Sequence, residues 1–200
     1  MVFAESWADI AIAVGALGAA FAAIRGVNTW KKSLEDVRMH DAARELLIAT
    51  YKMRDAIEIY RDPFIPVYEQ NPEDVRNGVT TGDRSNDGAS AMAYVYNNRN
   101  KLLREVYVQF SEAELVAEVL WSDDIKNRTQ RFLSAINEVR RATNELIMRL
   151  PQAPQTQQQR QEERDLRSKI SGRLADPNDQ MSVEILQAIE EIEKPMRNAL

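Results

Sequence analysis

Residues 123–150 read DDIKNRTQRFLSAINEVRRATNELIMRL, and this stretch carries the strongest periodic pattern in the chain. Apolar and threonine side chains recur in it at alternating spacings of four and three, which predicts a helix packed lengthwise against other helices. Ser122 precedes it as a suitable N-cap, and Pro151 follows it as a helix breaker. The repeating positions are Ile125, Thr129, Phe132, Ile136, Val139, Thr143, Leu146 and Leu150.

Two more long helices are predicted on the N-terminal side of this stretch. Residues 30–61 repeat the pattern and end before Pro63, because the residue before a proline is pushed out of the α region. Residues 89–110 repeat it again, and the Ser-x-x-Glu pattern at Ser111–Glu114 predicts a new helix that reaches Trp121. The repeating positions are Met39, Ala43, Leu46, Thr50, Met53, Ile57 and Tyr60 in the first helix, and Met92, Tyr96, Arg99, Leu103, Val106 and Phe110 in the second.

Residues 62–88, DPFIPVYEQNPEDVRNGVTTGDRSNDG, are predicted to be a long loop. Three prolines, three glycines and several Asn and Asp residues disfavour regular structure over most of it. Its apolar head, Phe64 to Tyr68, is expected to fold back on the helices. A loop of this length in a compact domain is often functional.

The C-terminal quarter of the chain is predicted to add shorter helices. Residues 151–161, PQAPQTQQQRQ, form a low-complexity linker. A helix over 156–175 has a thin apolar stripe of Leu166, Ile170 and Leu174, and a last helix begins near Ser182. The predicted organisation is therefore an anchor over 1–28, a core of three long helices over 29–150, this linker, and C-terminal helices over 162–200 that pack on the core.

Residues 10–24, IAIAVGALGAAFAAI, contain no polar side chain and predict a membrane-spanning helix. The run is short, but Trp7 and Trp30 flank it at a separation that suits the two interfaces of a bilayer. Its bulky side chains fall on one stripe and would face lipid: Ile10, Val14, Leu17, Phe21 and Ile24. The predicted fold is all-α, with this single transmembrane helix followed by an up-down antiparallel bundle of about four to five helices.

Two other interpretations of the run stay open. Residues 6–27 could be a helix buried in the core or in a soluble oligomer, since the bulky stripe also suits a core. A cleaved signal peptide fits poorly, because Glu5 and Asp9 stand where a basic segment is expected. Basic residues after the run place its N-terminus outside and the bulk of the chain in the cytoplasm, at the plasma (inner) membrane of a bacterial-type cell.

A second face of the same helix carries small residues that would let two helices approach closely. They are Ala11, Gly15, Gly18, Ala22 and Gly26. This face predicts self-association through the span, although alanine and glycine are also common in any weakly apolar span. Residues 26–28 are either a joint between span and domain or part of one continuous helix.

Composition excludes several classes of chemistry. The chain has no cysteine, so disulfides, thiolate metal sites and thiol catalysis are excluded. Its net charge of −5 argues against binding nucleic acid nonspecifically. The only histidine, His40, is expected to lie on the surface, and residues 83–88 match the start of a calcium loop but lack its final glutamate. With no catalytic or phosphate-binding motif, we expect no catalysis, no cofactor and no metal site.

Arg99 interrupts the apolar pattern of its helix. It either lies at the edge of the packed face with its head group in water, or is buried and paired with a carboxylate such as Asp55 or Glu58. Together with Phe64 and Tyr68 it marks a predicted partner surface. The basic residues of 160–173 alternate with acidic ones, which is typical of a solvated helix face and secondarily of docking to anionic lipid.

The leading functional hypothesis is a single-pass membrane protein whose helical bundle binds other proteins as a scaffold, adaptor or regulatory module. Membrane lipid and unidentified proteins are the expected partners. The alternatives are a soluble helical oligomer and a small membrane-perturbing effector.

Overall fold

The computed structural model describes the backbone of residues 2–81, 83–121, 123–152 and 156–200. Side chains are described over the same ranges, except those of residues 2–20, 22, 24 and 123. Regular structure in these ranges is entirely helical, which confirms the predicted all-α class. The chain divides into two compact units, Met1–Asp41 and Ala42–Leu200.

The first long helix, α1, spans Val2–Arg61 without a break. Residues 26–28 are therefore part of a continuous helix and not a joint. From Phe21 to Arg38, every described side chain is exposed. Over the part of the chain with described side chains, no helix is long and apolar enough to cross a membrane. The run from Ile10 to Ile24 lies outside that part except for Phe21 and Ala23, so the predicted span stays a prediction.

Within the second unit, the helices form a bundle with antiparallel neighbours. Lys52 of α1 bonds to Gln109 of α3 (Asn86–Trp121), and further along α1 the ring of Tyr60 meets that of Tyr96. The direction of α3 is therefore opposite to that of α1. By the same reasoning α4 (Asp123–Arg149) runs antiparallel to α3 and to α6 (Gln180–Asn198). The contacts that show this are Phe110–Phe132 with Glu114–Thr129 for α3 and α4, and Arg131–Glu191 with the groove shared by Glu138 and Glu184 for α4 and α6.

The core lies where the periodic pattern predicts it. All eight repeating positions of α4, from Ile125 to Leu150, are at most 2% exposed. The six apolar ones pack against the buried faces of α1, α3 and α6 in one continuous cluster. Thr143 is tolerated in this core because its hydroxyl donates to the backbone carbonyl of Val139 within the helix. Thr129 is tolerated because its hydroxyl donates to the Glu114 carboxylate of α3.

The predicted helix start at Ser111 is wrong, because α3 continues to Trp121. Glu114 does not reach back to cap Ser111 and instead accepts a hydrogen bond from the Thr129 hydroxyl of α4. The carboxylate therefore joins two helices instead of starting one.

Two short helices complete the second unit at its C-terminal side. The first, α5, spans Gln157–Ile170 and starts with a capping box in which Thr156 and Gln159 bond reciprocally. It is shorter than the predicted 156–175, although Leu174 beyond its end is buried with Ile170. Asp179 caps α6 by accepting from the backbone of Met181.

The region between α1 and α3 is more ordered than the predicted loop. It contains a 3-10 turn, Val67–Glu69, and a short helix, α2, over Pro72–Arg76. Asn71 caps α2 by accepting from the backbone N–H of Glu73. The expectation that the apolar head folds back is wrong for Phe64, Val67 and Tyr68, which are exposed, whereas Ile65 and Pro66 are half-buried.

Candidate functional site

Arg99 lies on the buried face of α3 and is only 5% exposed. It follows Tyr96 by three residues and precedes Leu103 by four, so the helix itself directs it toward the end of α1. An unpaired guanidinium would be costly there, because burial removes the water that solvates its charge. The residues that surround it supply the missing partners.

The guanidinium of Arg99 holds the chain that leaves α1. Its Nε donates to Glu69 Oε2 at 2.7 Å, and its Nη1 donates to the carbonyl of Asp62 at 2.6 Å. Nη1 also reaches the carbonyl of Tyr60 at 3.3 Å, and Nη2 donates to the carbonyl of Phe64 at 2.8 Å. A cation is favoured at this place because the last carbonyls of a helix carry partial negative charge. Three backbone carbonyls and one carboxylate thus fix residues 62–69 to α3.

Two buried tyrosines pack beside the Arg99 guanidinium. The Arg99 guanidinium lies 5.8 Å from the ring centre of Tyr96, within the range of a cation–π contact. Tyr96 meets Tyr60 edge to face at 5.3 Å. Burial raises the pKa of both hydroxyls above the ordinary value, although Arg99 opposes the rise in each case. Both tyrosines therefore stay neutral and act as packing for the arginine.

We call residues 62–70 the clamped loop. Local bonds stiffen it further, since the Asp62 carboxylate accepts from the backbone N–H of Phe64, and Gln70 donates to the carbonyl of Ile65. Its outward side chains are apolar and uncovered: Phe64 is 69% exposed, Val67 67% and Tyr68 86%. A segment held by its backbone while it presents such side chains is well suited to contact another molecule.

The surroundings of the clamped loop are acidic. Across residues 62–76 there are four carboxylates against one arginine. Asp62 bonds within the loop and Glu69 pairs with Arg99 of α3, whereas Glu73 and Asp74 lie in the first turn of α2. The exposed apolar side chains are thus followed closely in sequence by negative charge.

A second buried arginine secures the neighbouring helix ends. Arg61, the last residue of α1, is fully buried and pairs with Asp179 at 2.6 Å. It also donates to Ser182 Oγ at 2.7 Å and to the carbonyl of Lys169 at 3.0 Å. This arginine therefore ties the end of α1 to the end of α5 and the start of α6.

The structure brings together only part of the predicted surface residues. Arg99 is buried and paired, but with Glu69, so the expected partners Asp55 and Glu58 are wrong. Asp55 instead pairs with Arg54 of its own helix at 2.8 Å. Phe64 and Tyr68 belong to the loop that Arg99 holds. In the sequence, only their apolar character indicated these two residues. Glu69 and Arg61 were missed, because neither lies in a periodic pattern.

The residues predicted for the span are mostly outside the described side chains. These are Trp7, Ile10, Ala11, Val14, Gly15, Leu17, Gly18, Ala22 and Ile24. Of the rest, Phe21 is 66% exposed and Trp30 63% exposed. Gly26 has open space where a side chain would begin.

The remaining candidate residues form no binding cluster among the described residues. His40 is exposed, and its Nδ1 lies 3.7 Å from the Asp41 carboxylate. No group of acidic and histidine side chains that could hold a metal ion occurs in those parts of the chain. In the basic series of 160–173, Arg167 pairs with Glu163 of the same helix, whereas Lys169 pairs across to Glu138 of α4.

No protein-family model, curated protein or solved structure matches this chain.

Proposed function

We propose that this protein is a membrane-anchored helical-bundle module that acts by binding other proteins, and that the clamped loop is its docking surface. The observation that carries the proposal is the combination of a buried, four-fold hydrogen-bonded Arg99 with three exposed apolar side chains on the segment it holds. A scaffold, adaptor or regulatory subunit needs such a surface and no reaction of its own.

Preorganisation is the physical reason to choose this loop over the other exposed apolar side chains of the bundle. A loop already fixed in its bound shape loses little conformational entropy when a partner binds, so more of the contact energy appears as affinity. Aromatic side chains such as Phe64 and Tyr68 are the residue types that most often dominate binding energy at protein interfaces. Arg99 therefore acts as a positioning residue for these contacts.

The test is photo-crosslinking in the native host with a benzophenone amino acid at Tyr68 of the full chain. We expect a discrete adduct that is absent when the probe replaces Met148, which is 70% exposed on α4. The substitution Arg99→Met should abolish the adduct while the protein stays folded and abundant. Equal adducts at both probe positions, or an adduct that survives Arg99→Met, would contradict the proposed docking surface.

The anchor is proposed from the sequence of residues 10–24, with the N-terminus outside and the bundle in the cytoplasm. The run is weakly apolar, since alanine and glycine contribute little to insertion. An anchor of this kind is more stable when a second helix packs on it, and the small-residue face that ends at Gly26 would serve that purpose.

The anchor has its own test, which is independent of the loop. Full-length protein should stay in the membrane pellet after alkaline carbonate washing, and Gly15→Ile should lower its self-association in mild detergent. Reporters fused at residues 1 and 200 should give opposite compartments. Complete release into the supernatant would contradict the anchor and favour the soluble oligomer.

A further inference from the structure

A shallow groove between α3 and α4 provides a second uncovered surface on the bundle. Leu103 and Ile136 form its floor, and both are 2% exposed. Tyr107 and Val108 form one wall and are 40% and 56% exposed. The apolar contact area of the groove is therefore that of Tyr107 and Val108, which no other part of the described chain covers.

The rim of this groove is cationic. Arg104 and Arg140 both line it, one from each helix. Arg104 is exposed and forms no ion pair within the described residues, and Arg140 donates only to the Asn137 side chain, at 3.4 Å. Most other arginines of the bundle's long helices pair with carboxylates, so two uncompensated charges beside an apolar groove indicate an acidic and apolar ligand.

The clamped loop with α2 has the complementary properties. It presents Phe64, Val67 and Tyr68, and the carboxylates of Glu73 and Asp74 follow within six residues of Tyr68. Its apolar side chains would meet Tyr107 and Val108, and its carboxylates would meet the arginine rim. Opposite charges of this kind steer and orient two surfaces as they associate.

We infer that the occupant of the groove is the clamped loop of a second copy of this chain. Because each copy carries both surfaces, two copies can exchange loops reciprocally and close a two-fold dimer. The inference rests on the proposed docking role of the loop and names its partner. Since the contact uses the bundle alone, it is separate from self-association through the N-terminal helix.

The chain has no cysteine, which makes the contact directly testable by crosslinking. Two differently tagged full-length copies are co-expressed, one with Tyr68→Cys and the other with Asn137→Cys or Tyr107→Cys, and treated with a short bis-maleimide. We expect a crosslinked dimer that carries both tags for either groove position. The control is Gln187→Cys, which lies in the separate groove between α4 and α6.

Charge reversal then tests the chemistry of the contact. Arg104→Glu with Arg140→Glu should lower the crosslinked yield about tenfold, and the neutral Gln versions should have a smaller effect. Glu73→Arg with Asp74→Arg on the loop copy should restore it. Reversing Arg160 and Arg164 of α5 changes the net charge equally and should have no effect.

The outcomes separate this inference from the proposed function. A yield no higher than with Gln187→Cys, or one insensitive to reversal of Arg104 and Arg140, would overturn the second copy as occupant. An adduct from Tyr68 to a different protein in the photo-crosslinking experiment would then leave the docking role of the loop intact. If neither the crosslinked dimer nor a photo-adduct from Tyr68 forms, both proposals are overturned.

Discussion

Arg99 and Arg61 perform the same physical task at neighbouring places. Each inserts a buried guanidinium among the last carbonyls of a helix, Arg99 at the end of α1 and Arg61 at the end of α5. Each is neutralised by one carboxylate, Glu69 or Asp179, within 2.7 Å. A helix end favours a cation, and a buried cation requires a partner charge, so these residues define a single arrangement of the chain around them.

Gly172 provides a test at the residue scale. A Cβ atom there would overlap Asp179 Oδ2 and lie 2.9 Å from Arg61 Nη2. Gly172→Ala must therefore shift the Asp179 carboxylate against its buried partner Arg61, and we expect it to lower the free energy of unfolding by roughly 1–3 kcal/mol. Chemical denaturation followed by circular dichroism measures this. Ser171→Ala, one residue earlier, adds no atom and should change stability by less than about 0.5 kcal/mol.

The sequence indicated that Arg99 is unusual in its helix, but it did not indicate the partner of its guanidinium. A charged residue in an otherwise apolar repeat indicates either an edge position or a buried pair, and burial is the alternative that the structure supports. Its partner could not be predicted, because Glu69 lies in a segment without periodicity and is brought near by the backbone of the loop. Arg61 gave no signal beyond being a basic residue in the last turn of a helix.

The helices were predictable where packing of one side in the core imposes a periodic pattern on the sequence. The repeats of four and three located α3, α4 and the second half of α1, because each of these helices has one side in the core. The false helix start at Ser111 shows the limit of a local motif. A Ser-x-x-Glu pattern caps a helix only when no better partner exists, and Glu114 has one in Thr129 of the facing helix.

The hydrophobicity of the loop between α1 and α3 did not predict which of its side chains are buried. Apolar side chains from Phe64 to Tyr68 predict burial on average, but the loop is held through its backbone carbonyls by Arg99. Once those carbonyls face inward, the side chains of Phe64 and Tyr68 point outward. An apolar segment can therefore be ordered and exposed together, which hydrophobicity alone does not predict.

At the scale of the whole molecule, the second unit is a helical bundle whose buried ion pairs, Arg99–Glu69 and Arg61–Asp179, lie at helix ends. The clamped loop, the α3–α4 groove and the buried pair of Arg61 and Asp179 all belong to that unit. The bundle thus supplies a rigid frame, and the surfaces proposed for partners lie on it. The N-terminal helix contributes the proposed membrane attachment.

The most direct test of the account is hydrogen–deuterium exchange over the full chain, comparing the wild type with Arg99→Met. The backbone N–H groups of Glu69 and Gln70 bond within the loop, to the carbonyls of Pro66 and Val67. If Arg99 holds the loop, these amides should exchange about tenfold faster or more in Arg99→Met, while α4 stays as protected as before. Arg104→Met, one turn further along α3 and exposed, should leave the loop unchanged. Unaltered exchange at Glu69 and Gln70 in Arg99→Met would contradict the clamp and with it the docking surface.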